Sequence, residues 1–315
     1  MIRFYKSLRQ LEELCIEIER NGKRMNYLIL GIFIVLLIID IIYENKHLVI
    51  QHYTVENNKI PKKFNDKKFV VLADLHGNSY GKNNEKLLNK IYEINPDFII
   101  VAGDMLVASK SYDDKVAFSL LKTLAKKYQI YYGYGNHEQR IMLEGEHHHK
   151  EINQYFHKLS NEGVQFLKNR SLELTMDDEK IRITGLYIDR QYYKRGKLIP
   201  FTKDYLKKNI GKSSEQCYNI LIAHNPIYFK DYVNWGADLI ISGHIHGGLI
   251  RIPFIGGMLS PRYRFFPKYD SGRFEMMNKI MLVSRGLGMH TIKIRVNNHP
   301  ELMVVHLKHF NGEVY

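Results

Sequence analysis

The sequence predicts an α/β fold, and three observations support this prediction. Short apolar runs such as 69–73 and 98–102 have the length and β-branched content of buried strands. Segments between such runs, for example 84–95, carry apolar residues at helical spacing. Glycines and polar side chains directly follow several of the strands. Short apolar strands that are separated by helices are typical of sheets that helices cover on both faces.

The composition is that of a globular protein with one exceptional segment. The 315 residues are 45% hydrophobic and 25% charged, which suits one large domain or two small ones. The formal net charge of +13 favours anionic partners such as phosphorylated substrates, a membrane surface or nucleic acid, although a solvated basic surface explains it equally well. Two cysteines, Cys15 and Cys217, exclude a disulfide scaffold and a cysteine-based zinc cluster.

The exceptional segment is 27–43, which is nearly all apolar. At about 1.5 Å per residue a helix of this length just crosses the hydrocarbon core of a bilayer. No small-residue cleavage site follows, which favours an uncleaved anchor over a signal peptide, with a buried core helix as a further alternative. Lys23 and Arg24 precede the segment and only Lys46 follows closely, so we expect a single-pass membrane protein with its C-terminal part outside the cytoplasm.

Three further segments complete the expected domain organisation. Residues 1–26 have apolar positions at helical spacing and predict an amphipathic helix on the membrane or against a second copy, unless Met25 is the true start. Residues 44–66 are polar without a sustained period and predict a tether. Residues 67–315 form the expected catalytic domain.

Within that domain the same patterns assign the elements in chain order. Helices are predicted over 84–95, 116–127 and 149–162. Strands after the first two are predicted over 129–134, around 166, and over 172–175, 181–186, 220–223, 239–242, 280–284 and 302–307. The stretch 252–272, which is rich in proline and glycine, is predicted as a loop.

Metal-binding side chains follow five of these strands. They are Asp74 and His76, then Asp104, then Asn136, then His224, and finally His244 and His246. Open α/β sheets place their ligands at the carboxyl ends of the strands. His244 and His246 are two residues apart, so both rings can face one site, and imidazole suits Zn, Mn and Fe. Each motif alone is a weak signal, but together they predict a metal site.

This ordered set resembles the calcineurin-like metallophosphoesterase family, from residue 67 to about 310. The motifs that carry the resemblance are Asp74-Leu75-His76, Gly103-Asp104, Gly135-Asn136-His137-Glu138, His224-Asn225-Pro226 and Gly243-His244-Ile245-His246. The apolar segment and the late run Ser284-Arg285-Gly286-Leu287-Gly288 are similar to a membrane-anchored bacterial subgroup. The resemblance implies a two-sheet αββα sandwich in which helices cover both outer faces.

The resemblance also implies a site with two divalent metal ions. One would be held by Asp74, His76, Asp104 and His246, and the other by Asp104, Asn136, His224 and His244. A shared carboxylate offsets the repulsion of two cations about 3.5–4 Å apart, which lower the pKa of a bridging water and orient an in-line attack. This mixture of ligands suits Mn, Fe, Zn or Co and argues against Mg alone, without fixing which metal binds.

The resemblance gives His137 a role beside the metals as the residue that stabilises the transition state or protonates the leaving oxygen. Glu138 stands where the family more often has Asp, so any orienting of His137 by this carboxylate would have a different geometry.

Other residues near the motifs allow a functional or an ordinary interpretation. Arg251, Arg262, Arg264, Arg273 and Arg285 would suit phosphate at the rim of the site, but ordinary surface or turn roles are at least as plausible. Tyr192 and Tyr193, beside Arg190, are candidates for a substrate cleft or for packing. The run His147-His148-His149 is expected on an exposed helix face rather than in catalysis.

The sequence therefore predicts a membrane-anchored phosphohydrolase that cleaves a phosphoester or pyrophosphate bond with a metal-bridging hydroxide. The anchor favours a lipid-linked or cell-envelope substrate. A nuclease is the alternative within the enzymes, but we expect no nucleic-acid partner, since clustered arginine and aromatic residues are missing. A non-catalytic membrane scaffold is disfavoured because every motif residue is present.

Overall fold

The computed structural model describes residues 2–109, 113–143, 145–194, 196, 198–260, 265–290 and 293–310. Side chains are described from residue 24 onward, except for residues 145–148. The chain divides into two compact units, Met1–Tyr43 and Glu44–Tyr315.

The first unit is part of one helix, α1 (Ile2–Lys46). The helix includes the segment predicted as amphipathic, but the side chains up to residue 23 lie outside the described residues. Among the described residues, the stretch Arg24–Lys46 is the one helix that is long and apolar enough to cross a membrane. Its apolar side chains are exposed, as Phe33 (62%) and Leu36 (59%) show. An uncleaved anchor and a signal sequence share these features of length and composition.

The second unit alternates helices with strands. Its helices are α2 (Glu85–Ile94), α3 (Lys115–Ala125), α4 (Asn136–Leu143), α5 (Gly145–Asn161), α6 (Tyr205–Ile210) and α7 (Phe229–Trp235). Its first strands are β1 (Val49–Asn57), β2 (Lys68–Leu72), β3 (Phe98–Ala102), β4 (Gln129–Gly133), β5 (Gln165–Phe166), β6 (Arg170–Met176) and β7 (Glu179–Gly185). The later strands are β8 (Tyr218–Ile222), β9 (Leu239–Ser242), β10 (Arg251–Ile252), β11 (Gly256–Gly257), β12 (Gly272–Met276), β13 (Lys279–Val283) and β14 (Glu301–His309).

All strands except β10 and β11 form two six-stranded sheets within the described residues. The first has the order β1-β14-β2-β3-β4-β5, with β2 to β5 parallel. The second has the order β12-β13-β9-β8-β7-β6, with β13, β9, β8 and β7 parallel. Each sheet therefore has a parallel centre whose strands end at the same edge.

The core lies in three layers, which confirms the αββα sandwich. Between the sheets, Val71 and Ile100 of the first sheet share one cluster with Ile220 and Ile241 of the second. On the outer face of the first sheet, α2, α3 and α5 pack through residues such as Leu120. On the outer face of the second sheet, α6 and α7 pack in a further cluster. Alternate residues of each strand face opposite layers, so these strands are apolar throughout.

The tether predicted over 44–66 is wrong. β1 lies in this stretch and pairs in parallel with β14 over its whole length, from Val49 with Glu301 to Asn57 with His309. Val55, Ile60 and Phe64 are fully buried between the sheets. The stretch is polar because β1 is an edge strand, whose exposed positions alternate with the few residues that enter the core.

Most predicted strands are present with bounds shifted by one or two residues, and 98–102 and 239–242 agree without a shift. The sequence did not predict α4, α6, α7 or β12. These elements are short, and β12 begins at Gly272, the last residue of the stretch that was predicted as a loop, which also contains part of β10 and all of β11. Short elements carry too few periodic positions for a pattern to stand out.

Candidate metal centre

The eight predicted site residues meet where the two sheets face each other at the carboxyl ends of their parallel strands. Register places the strand ends level, with Leu72 beside Val101 in the first sheet and Ile222 beside Ile241 in the second. The first sheet supplies Asp74, His76, Asp104, Asn136 and His137, and the second supplies His224, His244 and His246. Sequence reasoning thus predicted correctly which distant residues come together.

Six of these side chains form two groups whose nitrogen and oxygen atoms lie within 4.8 Å of one another. The groups are Asp74 with His76 and His246, and Asp104 with His224 and His244. Asp104 lies between the groups, because its Oδ2 is 3.1 Å from His224 Nε2 and 3.9 Å from His76 Nε2. Each group contains three of the four residues of one predicted ligand set, and their assignment as metal ligands stays a prediction.

Backbone carbonyls fix which nitrogen of three histidines carries the proton. The Nδ1 atoms of His76, His224 and His246 face the carbonyl oxygens of Leu106, Ala102 and Gly288 at 3.2, 2.6 and 3.0 Å. A carbonyl oxygen only accepts, so each Nδ1 donates and each neutral ring keeps the Nε2 lone pair for the centre. Metal-binding histidines in proteins are held in this way.

Two observations show that the residues present fit cations. The Nε2 atoms of His76 and His246 are 3.3 Å apart, and with both protons on Nδ1 their lone pairs face each other. Asn136 Oδ1 is buried, and the described residues include no hydrogen-bond partner for it. Buried acceptors of this kind are costly unless a proton or a cation satisfies them.

The ionisation of the buried side chains also favours bound cations. Burial, reinforced by the Asp104 carboxylate, raises the pKa of Asp74 to about 7. Burial lowers the pKa values of His76 and His246 well below the usual range, which keeps both rings neutral. Burial also acts against a charge on His224, but the adjacent Asp104 raises the pKa of His224 to about 9. The centre therefore favours positive charge beside its carboxylates.

The backbone is strained where it presents the predicted ligands. Asp74, His76, Asp104, His244 and His246 all have a positive φ, between 49° and 76°. Such conformations cost of order 1–3 kcal/mol each and cluster at functional sites. Glycines allow a close approach between the two sheets at Gly243 and between neighbouring strand ends of the first sheet at Gly135. A Cβ on Gly243 would lie 2.4 Å from Asp74 Oδ2, and one on Gly135 would lie 2.1 Å from Asp104 Oδ1.

Glu138 does not orient His137, which was the arrangement considered from the sequence. Its fully buried carboxylate accepts hydrogen bonds at 2.8 to 3.0 Å from the backbone N–H groups of Asp104, Met105 and Gly135 and from the Tyr132 hydroxyl. Glu138 thus holds the turn that presents Asp104. Its longer side chain, in place of the Asp that is more usual, reaches this turn directly.

His137 lies beside the centre with a defined tautomer. Its Nδ1 accepts a hydrogen bond from the Ala108 N–H at 3.0 Å, so the proton of the neutral ring is on Nε2. Its backbone N–H donates to Asp104 Oδ1 at 2.7 Å. Burial lowers the pKa of His137 to about 4, so the ring is neutral near neutral pH.

Sequence reasoning missed several residues that line the open face of the centre. This polar cleft has a volume of about 200 Å³ and is also lined by Arg140, Arg190, Tyr193, Lys194 and His290. His290 forms a third such group with His76 and His137, and its ring centroid lies 4.5 Å from that of His137 and 4.8 Å from that of His76. Arg190 and Tyr193 were singled out in the sequence, but Arg140, Lys194 and His290 follow no strand and carry no motif.

The arginines considered for phosphate binding have other contacts. Arg251 pairs with Asp270 at 2.8 Å, Arg273 with Glu275 at 2.7 Å and Arg285 with Glu301 at 3.0 Å. Arg262 and Arg264 lie outside the described residues, as do the side chains of His147 and His148. The third histidine of that run, His149, is exposed on α5.

Comparison with known proteins gives one family and several distant relatives. The family model described as calcineurin-like phosphoesterase matches residues 67–248. The chain is 27% identical to the uncharacterized metallophosphoesterase YkuE of Bacillus subtilis, with 85% of this chain and 89% of that protein covered. It is 23% identical to the phosphodiesterase YaeI of Escherichia coli, with 76% and 82% covered. It is 22% identical to the UDP-2,3-diacylglucosamine pyrophosphatase LpxG of Chlamydia muridarum, with 78% and 86% covered.

Proposed function

Because the chain belongs to the calcineurin-like phosphoesterase family and is a phosphoester hydrolase, we propose that it works with two divalent metal ions. The observation that carries the proposal is the pair of ligand groups with Asp104 between them. One ion would be held by Asp74, His76, Asp104 and His246, and the other by Asp104, Asn136, His224 and His244. When bound, such ions supply an activated water and polarise the phosphoryl oxygens.

The side chains around the metals have separate tasks. His137 carries its proton on Nε2, and burial keeps the ring neutral near neutral pH, so it would donate a hydrogen bond that stabilises the negative charge developing on the phosphoryl or leaving oxygen. Arg140, Arg190 and Lys194 line the polar cleft and bring positive charge to an anionic phosphate. Glu138 keeps Asp104 in place through the backbone of its turn.

The proposed substrate is a phosphoester or pyrophosphate compound of the cell envelope or one that is linked to a lipid. A candidate membrane span in the same chain supports this choice. The names of two relatives, a phosphodiesterase and a pyrophosphatase of a diacyl compound, agree with it. We propose a single-pass anchor with the catalytic unit outside the cytoplasm, because Lys23 and Arg24 flank the N-terminal end of the span.

The test is metal analysis of the full chain in lipid nanodiscs, combined with hydrolysis of bis(p-nitrophenyl) phosphate and p-nitrophenyl phosphate under Mn, Fe, Zn or Co. We expect about two metals per chain, and we expect Asp104→Asn to lower both metal content and activity, the latter by at least about 100-fold. Asp177→Asn, at an exposed ion pair with Lys63, is the matched control and should keep both. A chain that binds no metal under any supplement would overturn the proposal.

A further inference from the structure

A second cleft opens beside the candidate metal centre. It has a volume of about 280 Å³, and its lining is mainly apolar, with Leu198, Ile199, Ile227, Phe265 and Phe266 among the contributors. Small-molecule sites have volumes of roughly 300–1,000 Å³, so this apolar cleft lies just below that range.

The apolar cleft adjoins the polar one. His244 and Lys194 line both clefts. His244 belongs to the second ligand group, so the apolar cleft begins at the place where a phosphate would be bound. One molecule with a phosphate at one end and an apolar part at the other could therefore occupy both.

The rim of the apolar cleft is open to solvent. Leu198 is 44%, Phe265 69% and Phe266 56% exposed. Neighbouring apolar side chains that remain exposed together mark a surface that binds another apolar group. Because the apolar cleft adjoins the place where a phosphate would be bound, an alkyl chain attached to that phosphate is the occupant that suits both clefts together.

We propose that the apolar cleft binds the alkyl or acyl chain of an amphiphilic phosphoester while its phosphate lies at the metal centre. This inference rests on the proposed function and adds a place where the chain selects its substrate. Lys194, which lines both clefts, would contact the phosphate end of the substrate. Leu198, Ile199, Phe265 and Phe266 would contact its alkyl or acyl chain.

The test compares two phosphodiesters that share one leaving group and differ in chain length, 4-nitrophenyl ethyl phosphate and 4-nitrophenyl octyl phosphate. With the full chain in lipid nanodiscs, kcat/KM should be at least about tenfold higher for the octyl ester, since each buried methylene contributes to binding. Calorimetric titration with ethylphosphonate and octylphosphonate, corrected with empty nanodiscs, measures the same preference without turnover.

The double variant Ile199→Asn with Phe266→Asn removes apolar surface from the cleft at two exposed positions, so folding should be unaffected. Its octyl-to-ethyl ratio should fall close to one in both measurements. Phe254→Asn is the matched control, because Phe254 is fully exposed and lies outside the cleft lining. Its ratio should stay at the wild-type value.

The outcomes separate this inference from the proposed function. Equal affinities of the wild type for the two phosphonates, or an octyl preference that survives the double variant, would overturn the apolar subsite. Failure of the chain to bind metal would instead count against the proposed function, and the titrations would still decide whether the cleft binds an alkyl chain.

Discussion

The polar and apolar clefts share His244 and Lys194, yet the chain builds them in different ways. The metal-facing side of the polar cleft is made of residues that directly follow parallel strands, such as Asp104 after β3 and His244 after β9. The apolar cleft is made mostly of residues from loops and short turns that are distant in sequence, such as Ile199 and Phe266. Chemistry is fixed to the rigid edge of the sheets, whereas the surface that would select the substrate lies on loops.

In the polar cleft, we expect the largest effect on turnover from a substitution of His137. His137→Ala should lower kcat by about 10²–10³-fold, because it removes a hydrogen-bond donor to the negative charge that develops in the transition state. Metal content should stay near the wild-type value, since His137 contacts Asp104 through its backbone N–H, which alanine keeps. Metal analysis and hydrolysis of bis(p-nitrophenyl) phosphate check the two parts.

If His137→Ala lost its metals together with its activity, the assignment of His137 beside the centre rather than within it would be wrong. His149→Ala on the exposed face of α5 is the control and should change neither quantity.

A smaller effect on turnover is expected from Glu138→Gln. The amide nitrogen of Gln cannot accept from the backbone N–H groups that Glu138 now binds, so the turn with Asp104 should shift. Loss of such a supporting contact typically costs about 10–100-fold in metal affinity or activity. Competition with a chelator measures the affinity, and Glu162→Gln, at a partly exposed ion pair with Lys122, is the control. Unchanged metal affinity would show that Glu138 does not support the centre.

The same contrast explains how much the sequence could predict. Asp74, Asp104 and His244 were found because each stands just after an apolar run, and strand ends meet in space. The role of Glu138 was not found, because its partners are backbone N–H groups that no motif displays. His290 and the lining of the apolar cleft were missed because loops that are distant in sequence bring them together.

The error in predicting a tether over 44–66 has a related cause. β1 takes its partner, β14, from the far end of the chain, with Val49 beside Glu301, so nothing near 44–66 in sequence reveals the pairing. The alternation of β1 has few buried positions, of which Val55 is the one that is fully buried. A strand at the edge of a sheet needs only one apolar face, and its exposed residues conceal it.

Both clefts are built on the same frame of two sheets, so removal of β1, a strand of the first sheet, tests a support that they share. A chain that starts at residue 59 lacks β1, whereas one that starts at Glu44 keeps it. Full burial of Val55 alone is worth about 1.5–3 kcal/mol, so the shorter chain should have a free energy of unfolding lower by at least about 2 kcal/mol. Urea unfolding of the two chains measures the difference. Equal stabilities would mean that β1 contributes nothing to the frame.

The smallest predicted effect concerns Lys194, which the two clefts share. Lys194→Met removes one charge beside the phosphate and keeps most of the apolar side chain, so KM should rise by about three- to tenfold for ethyl and octyl esters alike. Lys268→Met is the matched comparison, because Lys268 lines the apolar cleft without lining the polar one among the described residues. It should change KM for the ethyl ester less than Lys194→Met does. If Lys194→Met acted on the octyl ester alone, Lys194 would belong to the apolar cleft, and the junction between the two clefts would lie closer to His244.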